Sequence, residues 1–183
     1  MFQRAAGARR PLIKAVIMPL QLPDFLAKSS HTLEDRADFL SRSRWIDNLD
    51  WKQCQEIARY SEICLAPRGA IIFQEGDSEA YLALILTGKV EVRKSDSKHK
   101  DKPIGYIGPG KTVGEMSLLD GEPRSATVVA NEDSYLLVLG AEEYNLLAER
   151  HPALALKIAT RIAKSLSQRL RQTSGRLIDK LST

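Results

Sequence analysis

The sequence is short of cysteine and of long apolar runs, and each shortage excludes a class of protein. Cys54 and Cys64 are its two cysteines, too few for a disulfide framework. Because no secretory signal precedes them, we expect reduced thiols in a cytoplasmic protein. The longest apolar run, residues 81–86, is far shorter than the roughly 20 residues that cross a bilayer. We therefore expect no association with a membrane.

The sequence also lacks the side-chain combinations of common catalytic sites. Its three histidines, His31, His99 and His151, are scattered, and none has metal-ligand spacing with a cysteine. No Ser/His/Asp or Cys/His set can be assembled from the sequence. We therefore predict neither an enzyme nor a bound metal.

Basic residues are concentrated at the two ends of the chain. The 183 residues carry a formal net charge of +4, and the first twenty contain Arg4, Arg9, Arg10 and Lys14 without an acid. We interpret this start as an irregular arm or a docking segment. The last thirty residues are also basic, which suits either an acidic or nucleic-acid partner or simply a solvated helix face.

Hydrophobic periodicity divides the chain into four segments and predicts a mainly β fold with flanking helices. Residues 1–31 form the irregular basic arm, 32–60 a helical lead-in capped by Thr32 and Asp35, and 141–183 the C-terminal helices. Residues 61–140 form an antiparallel, jelly-roll-like β-roll, because short β-rich runs alternate there with turn residues. The predicted strands are 63–66, 70–74, 81–86, 89–93, 104–107, 126–130 and 135–139. The polar residues 95–102 between two of them predict an exposed hairpin loop.

A long C-terminal helix is predicted from Pro152 onwards, although Gly175 weakens it. Apolar residues recur along it at a spacing of four and form one stripe. The roll covers part of this stripe, and a second copy of the chain can cover the rest as a homodimer. The dimer seam would consist of Leu166, Leu170, Thr173 and Leu177. In the lead-in, Trp45 and Trp51 are predicted to be packing residues.

The segment from Gly114 to Ala126 contains the residues that best fit a ligand. Gly114 permits a close backbone approach, and residues 115–119 predict one turn of helix whose N-terminus favours an anion. Arg124 can form a bidentate pair with a phosphate. Glu115 accepts hydrogen bonds from sugar hydroxyls. These groups together suit a phosphodiester ring that is joined to a ribose.

This segment resembles the phosphate-binding cassette of the cyclic nucleotide-binding domain family, which includes catabolite activator protein and protein kinase A regulatory subunits. The matching motifs are Gly114-Glu115-Met116-Ser117-Leu118 and Pro123-Arg124-Ser125-Ala126. Upstream, residues 72–77 resemble the family's early hairpin turn and 84–90 its central strand pair. The cassette, residues 113–127, departs from the family pattern at Val113, where an aromatic residue is common. Lys111 just before it stands where an acid is common.

The resemblance implies a sensor of cAMP or cGMP and a role for each cassette residue. Arg124 and the backbone N–H groups of Ser125 and Ala126 would hold the cyclic phosphate, and Glu115 with the Gly114 carbonyl would hold the ribose 2′-hydroxyl. Ser125 is compatible with either purine. Closure of the C-terminal helix over the base would signal to a protein effector. By position, the base contacts would come from Arg169, Leu170, Gln172 and Thr173.

Two alternatives within the same fold remain open, together with a bracing role for the two charged cassette residues. One is an interaction module without a ligand, and the other is a transcription regulator fragment lacking its DNA-binding domain. Only residues 176–183 follow the predicted lid, too few for a helix-turn-helix, so no sequence-specific DNA binding is expected. In the bracing role, Arg124 and Glu115 would form a salt bridge with each other and hold no ligand.

Residues 105–112 also match a phosphate-loop pattern, G-x-x-x-x-G-K-T. A true phosphate loop needs a buried strand before it and a long helix after it. Here a polar loop and a very short strand precede the pattern, and only ten residues separate its end from Pro123. We therefore predict that this phosphate-loop-like segment is a strand and turn leading into the cassette, not the site of a nucleoside triphosphatase.

Overall fold

The computed structural model describes residues 27–28, 30–95 and 101–181. Predictions for the remainder of the basic arm and for residues 96–100 of the polar hairpin loop lie outside these ranges. The strands are β1 (Ala27–Lys28), β2 (Glu62–Ala66), β3 (Ile71–Phe73), β4 (Tyr81–Thr87), β5 (Val90–Ser95), β6 (Asp101–Ile107), β7 (Thr112–Val113), β8 (Thr127–Ala130) and β9 (Ser134–Gly140). The helices are α1 (Leu33–Ser43), α2 (Trp51–Arg59), α3 (Glu115–Asp120), α4 (Ala141–Arg150) and α5 (Pro152–Leu181).

Two antiparallel sheets form the β-roll, which confirms the predicted fold class. One sheet has the strand order β1-β2-β9-β4-β7, and the other has the order β3-β8-β5-β6. In the first sheet β4 pairs with β9, so that Leu82 lies opposite Leu139 and Leu84 lies opposite Leu137. The second sheet places β8 beside β5, with Val92 opposite Val128. The cassette therefore connects the edge strand of one sheet to a central strand of the other.

Both faces of β4 are buried because the first sheet separates two hydrophobic cores. Leu82 and Leu84 point into the core that the sheet shares with the helices. Ala83 and Ile85, which alternate with them, point into the core between the two sheets. Side chains of a strand alternate between faces, so a strand covered on both sides shows a continuous apolar run. This explains why residues 81–86 are the most apolar stretch of the chain.

The helical lead-in, residues 32–60, consists of two helices, α1 and α2, in agreement with the flanking helices predicted on this side of the roll. The chain leaves α1 at Arg44, which has a φ of 49°, and Asn48 also has a positive φ. Asp50 then caps α2 by accepting a hydrogen bond from the Gln53 backbone N–H at 2.8 Å. Two residues in the left-handed region interrupt a helix, so the lead-in turns here. A strand, β1, also lies at the end of the segment predicted to be an irregular arm.

The two tryptophans of this region differ in their surroundings. Trp45 is buried in the core between the helices and the sheet, as predicted. Trp51 is 48 % exposed, so the prediction that it is a packing residue is wrong. Trp51 is the first residue of α2, and a position at a helix end is not fixed by the helical repeat.

Helix α5 begins on the roll and then leaves it. Its apolar stripe is buried at Leu154, Ile158 and Ile162, whereas Leu170 is 69 % exposed. Gly175 does not end the helix, which continues to Leu181. Within the described residues, no helix is both long and apolar enough to cross a membrane.

Candidate functional site

The cassette begins with a glycine that no other residue can replace without strain. Gly114 has a φ of +75°, and a Cβ built on it would lie 2.5 Å from Arg124 Nη1 and 2.6 Å from the Tyr81 carbonyl oxygen. β7 holds this turn in place by pairing Thr112 with Leu84. The backbone therefore passes directly against the Arg124 guanidinium.

Arg124 is 2 % exposed and lies between two aromatic rings. Its Cζ atom is 4.2 Å from the centroid of Phe73 and 4.3 Å from that of Tyr81, a favourable arrangement for a desolvated cation. Its Nη1 donates to the Tyr81 carbonyl at 2.8 Å and to the Gly114 carbonyl at 2.9 Å. Burial lowers the pKa of the guanidinium. Among the described residues, the guanidinium thus donates hydrogen bonds through Nη1 only.

The other two nitrogens of Arg124 are buried without a hydrogen-bond partner. Nε and Nη2 contact no acceptor among the residues that the structure describes. An unsatisfied buried donor costs about 1–3 kcal/mol, so such groups are uncommon in a folded protein. Nε and Nη2 form one edge of the guanidinium, the edge that pairs with two oxygens of an anion.

Glu115 is the second buried charge of the cassette, at 2 % exposure. Its Oε1 accepts a hydrogen bond from Arg169 Nη1 of helix α5, whereas Oε2 has no partner within the described residues. Burial raises the pKa of the Glu115 carboxyl, and the Arg169 cation opposes this effect. Arg169 Nη2 also donates to the Thr112 carbonyl at 2.5 Å. The Arg169 side chain thereby links helix α5 to the cassette through hydrogen bonds.

The salt bridge between Arg124 and Glu115, considered from the sequence as a purely bracing role, does not form in the structure. Arg124 is paired with backbone carbonyls, and Glu115 is paired with Arg169. The two charges of the cassette are therefore held independently, and each keeps polar atoms that have no partner in the described part of the chain.

The remaining cassette residues lie around a small cavity of about 90 Å³ that reaches Arg124 and Glu115. Ser117 is buried, Met116 is 46 % exposed, and both line this cavity together with Gly114, Ser125 and Ala126. The structure thus brings all seven predicted cassette residues to one place.

A larger cavity of about 500 Å³ adjoins the first and extends to helix α5. The two cavities share the wall residues Val92, Ile107, Ser125, Ala126 and Arg169. Of the four residues predicted to contact a base, Arg169, Gln172 and Thr173 line the larger cavity. Leu170 does not line it and faces solvent, so the structure does not bring this residue to the site. The volume lies within the roughly 300–1,000 Å³ of small-molecule sites.

Several residues of this larger cavity were not identified from the sequence. Arg161, Ser165 and Gln168 of α5 line it, opposite Ile104 and Tyr106 of β6. The first three occupy the same helix face as Arg169 and Gln172, because their spacing follows the helical repeat. This helical spacing could have identified the three residues from the sequence. Nothing in the sequence indicated that β6 would form the opposite wall.

The phosphate-loop-like segment, 105–112, forms the end of β6, a turn and the start of β7. Its backbone is already paired, since the Gly110 N–H donates to the Ile85 carbonyl at 2.9 Å and the Ile85 N–H donates to the Lys111 carbonyl at 3.0 Å. The helix that follows, α3, has only six residues. The structure thus shows the predicted strand and turn. Among the described residues, no group of three or more His, Cys, Asp or Glu side chains is arranged to hold a metal ion.

Comparison with known proteins gives one consistent family. Residues 65–151 match the family model described as the cyclic nucleotide-binding domain. The chain is 38% identical over 109 residues to the cyclic AMP receptor protein of Thermus thermophilus, a match that covers 60% of this chain and 50% of that protein. It therefore spans about half the length of this curated relative.

Solved structures agree with the family match. A cyclic nucleotide-binding domain from Methylobacillus flagellatus superposes with a TM-score of 0.77 at 30% identity, covering 85% of this chain and 89% of that one. The Thermus thermophilus catabolite activator protein gives a TM-score of 0.63 at 37% identity, with 74% and 62% covered.

Proposed function

The chain belongs to the cyclic nucleotide-binding domain family, and on that premise we propose that it is a regulatory sensor that binds cAMP or cGMP. The observation that carries this proposal is the pair of unsatisfied donors on Arg124. Nε and Nη2 are buried and have no acceptor among the described residues. A cyclic phosphate offers two exocyclic oxygens and one negative charge, which match this edge of the guanidinium. In the proposal, the Ser125 and Ala126 backbone N–H groups face the same phosphate.

Glu115 would hold the ribose. Its Oε2 is buried without a partner in the described part of the chain, and it can accept a hydrogen bond from the 2′-hydroxyl. The Gly114 carbonyl would be the alternative acceptor for the single proton of this hydroxyl. That carbonyl already accepts from Arg124 Nη1, but a carbonyl oxygen has two lone pairs. One residue, Gly114, would then contact both the arginine and the sugar.

The larger cavity would receive the base. Gln172 and Thr173 of α5 line it with Arg169, and these polar groups can hydrogen-bond to the edge of a purine. Arg169 of the same helix donates a hydrogen bond to Glu115. A ligand that binds Glu115 would therefore alter the contact between Arg169 and Glu115. Movement of α5 would then be the signal that reaches a protein effector.

The exposed side of α5 would form a homodimer. Leu156, Leu170 and Leu177 are 67 %, 69 % and 58 % exposed and are separated by multiples of seven residues. Seven-residue spacing is the repeat of a coiled coil. In the proposed dimer, Leu166, Leu170, Thr173 and Leu177 lie at the seam. Sedimentation of the full chain should show a dimer that Leu170→Glu dissociates and Leu119→Glu, an exposed control on α3, does not. A monomeric wild-type chain would contradict the proposed dimer.

A ligand-free interaction module is the second candidate, and one observation favours it. Arg169 already occupies one oxygen of Glu115 and the Thr112 carbonyl, so the site has a closed arrangement made by the protein alone. In this case the roll would be a scaffold on which α5 is held for a partner. The two candidates differ in whether any cyclic nucleotide binds.

Calorimetric titration of the full chain with cAMP, cGMP, 5′-AMP and a cyclic dinucleotide tests the proposal. We expect saturable binding of one cAMP or cGMP per chain and weaker binding of the cyclic dinucleotide. 5′-AMP should also bind more weakly, because its doubly charged monoester does not match a site shaped for a phosphodiester. Absence of heat and of a thermal shift with both cyclic mononucleotides would favour the ligand-free module.

A further inference from the structure

A separate groove of about 760 Å³ follows the free edge of β3, the outermost strand of its sheet. We call it the β3 groove. Its floor carries the exposed Ile71, with the buried Ile72 and Tyr81 beneath it, whereas its rim carries the exposed acids Asp77 and Glu79. Glu79 forms no ion pair with the residues that the structure describes. An apolar groove with an acidic rim suits an occupant that is both apolar and basic.

The β3 groove lies directly behind the proposed phosphate site. Phe73 and Tyr81 line the groove and also stack on the Arg124 guanidinium. The rim is hydrogen-bonded to the same arginine, since the Arg124 N–H donates to the Asp77 carbonyl at 2.8 Å and the Gly76 N–H donates to the Arg124 carbonyl at 2.9 Å. An occupant of the groove would therefore lie next to the rings and the loop that position Arg124.

Strand β1 shows from which side the start of the chain reaches this region. β1 runs antiparallel to β2, with Ala27 opposite Leu65. The next residues of β2 lead through the turn at 67–69 into β3, and Gly69 is the first residue of the groove wall. The chain therefore enters β1 from the end of the sheet at which the β3 groove begins.

The residues before β1 have the composition that the groove requires. Residues 9–18 are Arg-Arg-Pro-Leu-Ile-Lys-Ala-Val-Ile-Met, and the first acid of the chain is Asp24. Lys14 precedes Ala27 by thirteen residues, enough for about 43 Å of extended chain at ~3.3 Å per residue. Asp77 follows Pro67 by ten residues, which span at most about 33 Å by the same rule. The cations of the segment can therefore reach the acidic rim.

We propose that residues 9–18 of this chain dock in the β3 groove, with Arg9, Arg10 and Lys14 beside Asp77 and Glu79. The apolar residues between the cations would cover Ile71 on the groove floor. Docking would also neutralise the two acids behind Arg124, which strengthens the attraction of Arg124 for an anion. This last consequence rests on the proposed function, whereas the docking itself does not.

Carbodiimide cross-linking of the full chain tests the docking. The reagent couples a lysine amine to a nearby carboxylate as an amide, and mass spectrometry identifies the pair. We expect a link from Lys14 to Asp77 or Glu79 that several-fold higher salt weakens. Lys14→Arg should abolish this link because a guanidinium does not couple, and the matched variant Lys52→Arg on α2 should leave it unchanged. The ion pair between Lys94 and Glu75 provides a positive control for the reaction.

An equal mixture of ¹⁴N and ¹⁵N chains identifies the source of the docked segment. Links within one isotope support docking within the same chain, whereas mixed-isotope links would show a second copy's segment in the groove and overturn the proposal. A Lys94–Glu75 link without any link from Lys14 to the rim would also overturn it. The cross-linking result does not depend on cyclic nucleotide binding. It can therefore be interpreted even if the chain binds no cyclic nucleotide.

Discussion

The two adjacent segments 105–112 and 113–127 both resemble phosphate-binding sequences. They differ in whether their polar groups have hydrogen-bond partners within the protein. In the first, the backbone is paired with β5 of the second sheet and with β4 of the first, and Lys111 is exposed. In the second, Arg124 and Glu115 are buried and each retains polar atoms without a partner in the described residues. A motif indicates which residue types are present, whereas unsatisfied buried groups indicate where a ligand is required.

The largest effect should come from removing the arginine of the cassette. Arg124→Ala removes two charge-assisted hydrogen bonds to the phosphate, each worth about 1.5–3 kcal/mol, so the affinity for cAMP should fall by about a hundredfold or more. Lys111→Ala in the neighbouring segment should change it by less than about fivefold: Lys111 lines the larger cavity, but its charge is solvent-exposed and contributes at most about 1 kcal/mol. Calorimetry measures both affinities, and melting curves confirm that both variants are folded. Equal losses would contradict the distinction between the segments.

A glycine substitution compares the backbones of the two segments. Gly114→Ala places a Cβ against Arg124 Nη1 and the Tyr81 carbonyl at a positive φ, which should lower the free energy of unfolding by about 2 kcal/mol or more. Gly105→Ala meets no atom within 4 Å and should change it by less than about 0.5 kcal/mol. Chemical denaturation measures both values. A stable Gly114→Ala chain would show that the cassette backbone tolerates a side chain.

A smaller difference between the two segments is expected in the pH dependence of stability. The cassette contains the buried acid Glu115, whereas the phosphate-loop-like segment contains no acid. Burial raises the pKa of this carboxyl above its ordinary value of 4.5, so the folded chain holds the proton more tightly than the unfolded chain. Stability therefore falls as the pH rises from 4.5 towards the raised pKa, by at most about 1.4 kcal/mol per pH unit. Glu115→Gln should flatten this decline, and the exposed Glu122→Gln should not. An unchanged pH profile in Glu115→Gln would exclude this source.

The roll could be predicted from the sequence because strand alternation and turn residues are local signals. The point at which the lead-in divides into two helices was not located from the sequence, although Asp50 and Gln53 form a capping box whose spacing is visible in the sequence. β7 was missed as a separate strand because two residues carry no period. Its position is fixed by pairing with β4.

The residues of the cassette could be predicted because they form one continuous motif, but their pairing could not. Arg169 meets Glu115 across 54 positions of sequence, and no local pattern specifies such a contact. The sequence equally allowed Arg124 to pair with Glu115. In the folded chain Arg124 instead pairs with the backbone, because the carbonyls of Tyr81 and Gly114 lie within hydrogen-bonding distance of its Nη1.

The central claim is that the free edge of Arg124 binds the ligand's phosphate, and side-chain NMR measures this directly. The resonance of the Arg124 Nε–H, assigned by its loss in Arg124→Lys, can be followed during a titration with cAMP. We predict that it moves downfield and saturates with the calorimetric affinity, as Nε gains the acceptor that it lacks within the described residues. Saturable binding of cAMP with an unchanged Nε–H resonance would contradict the assignment.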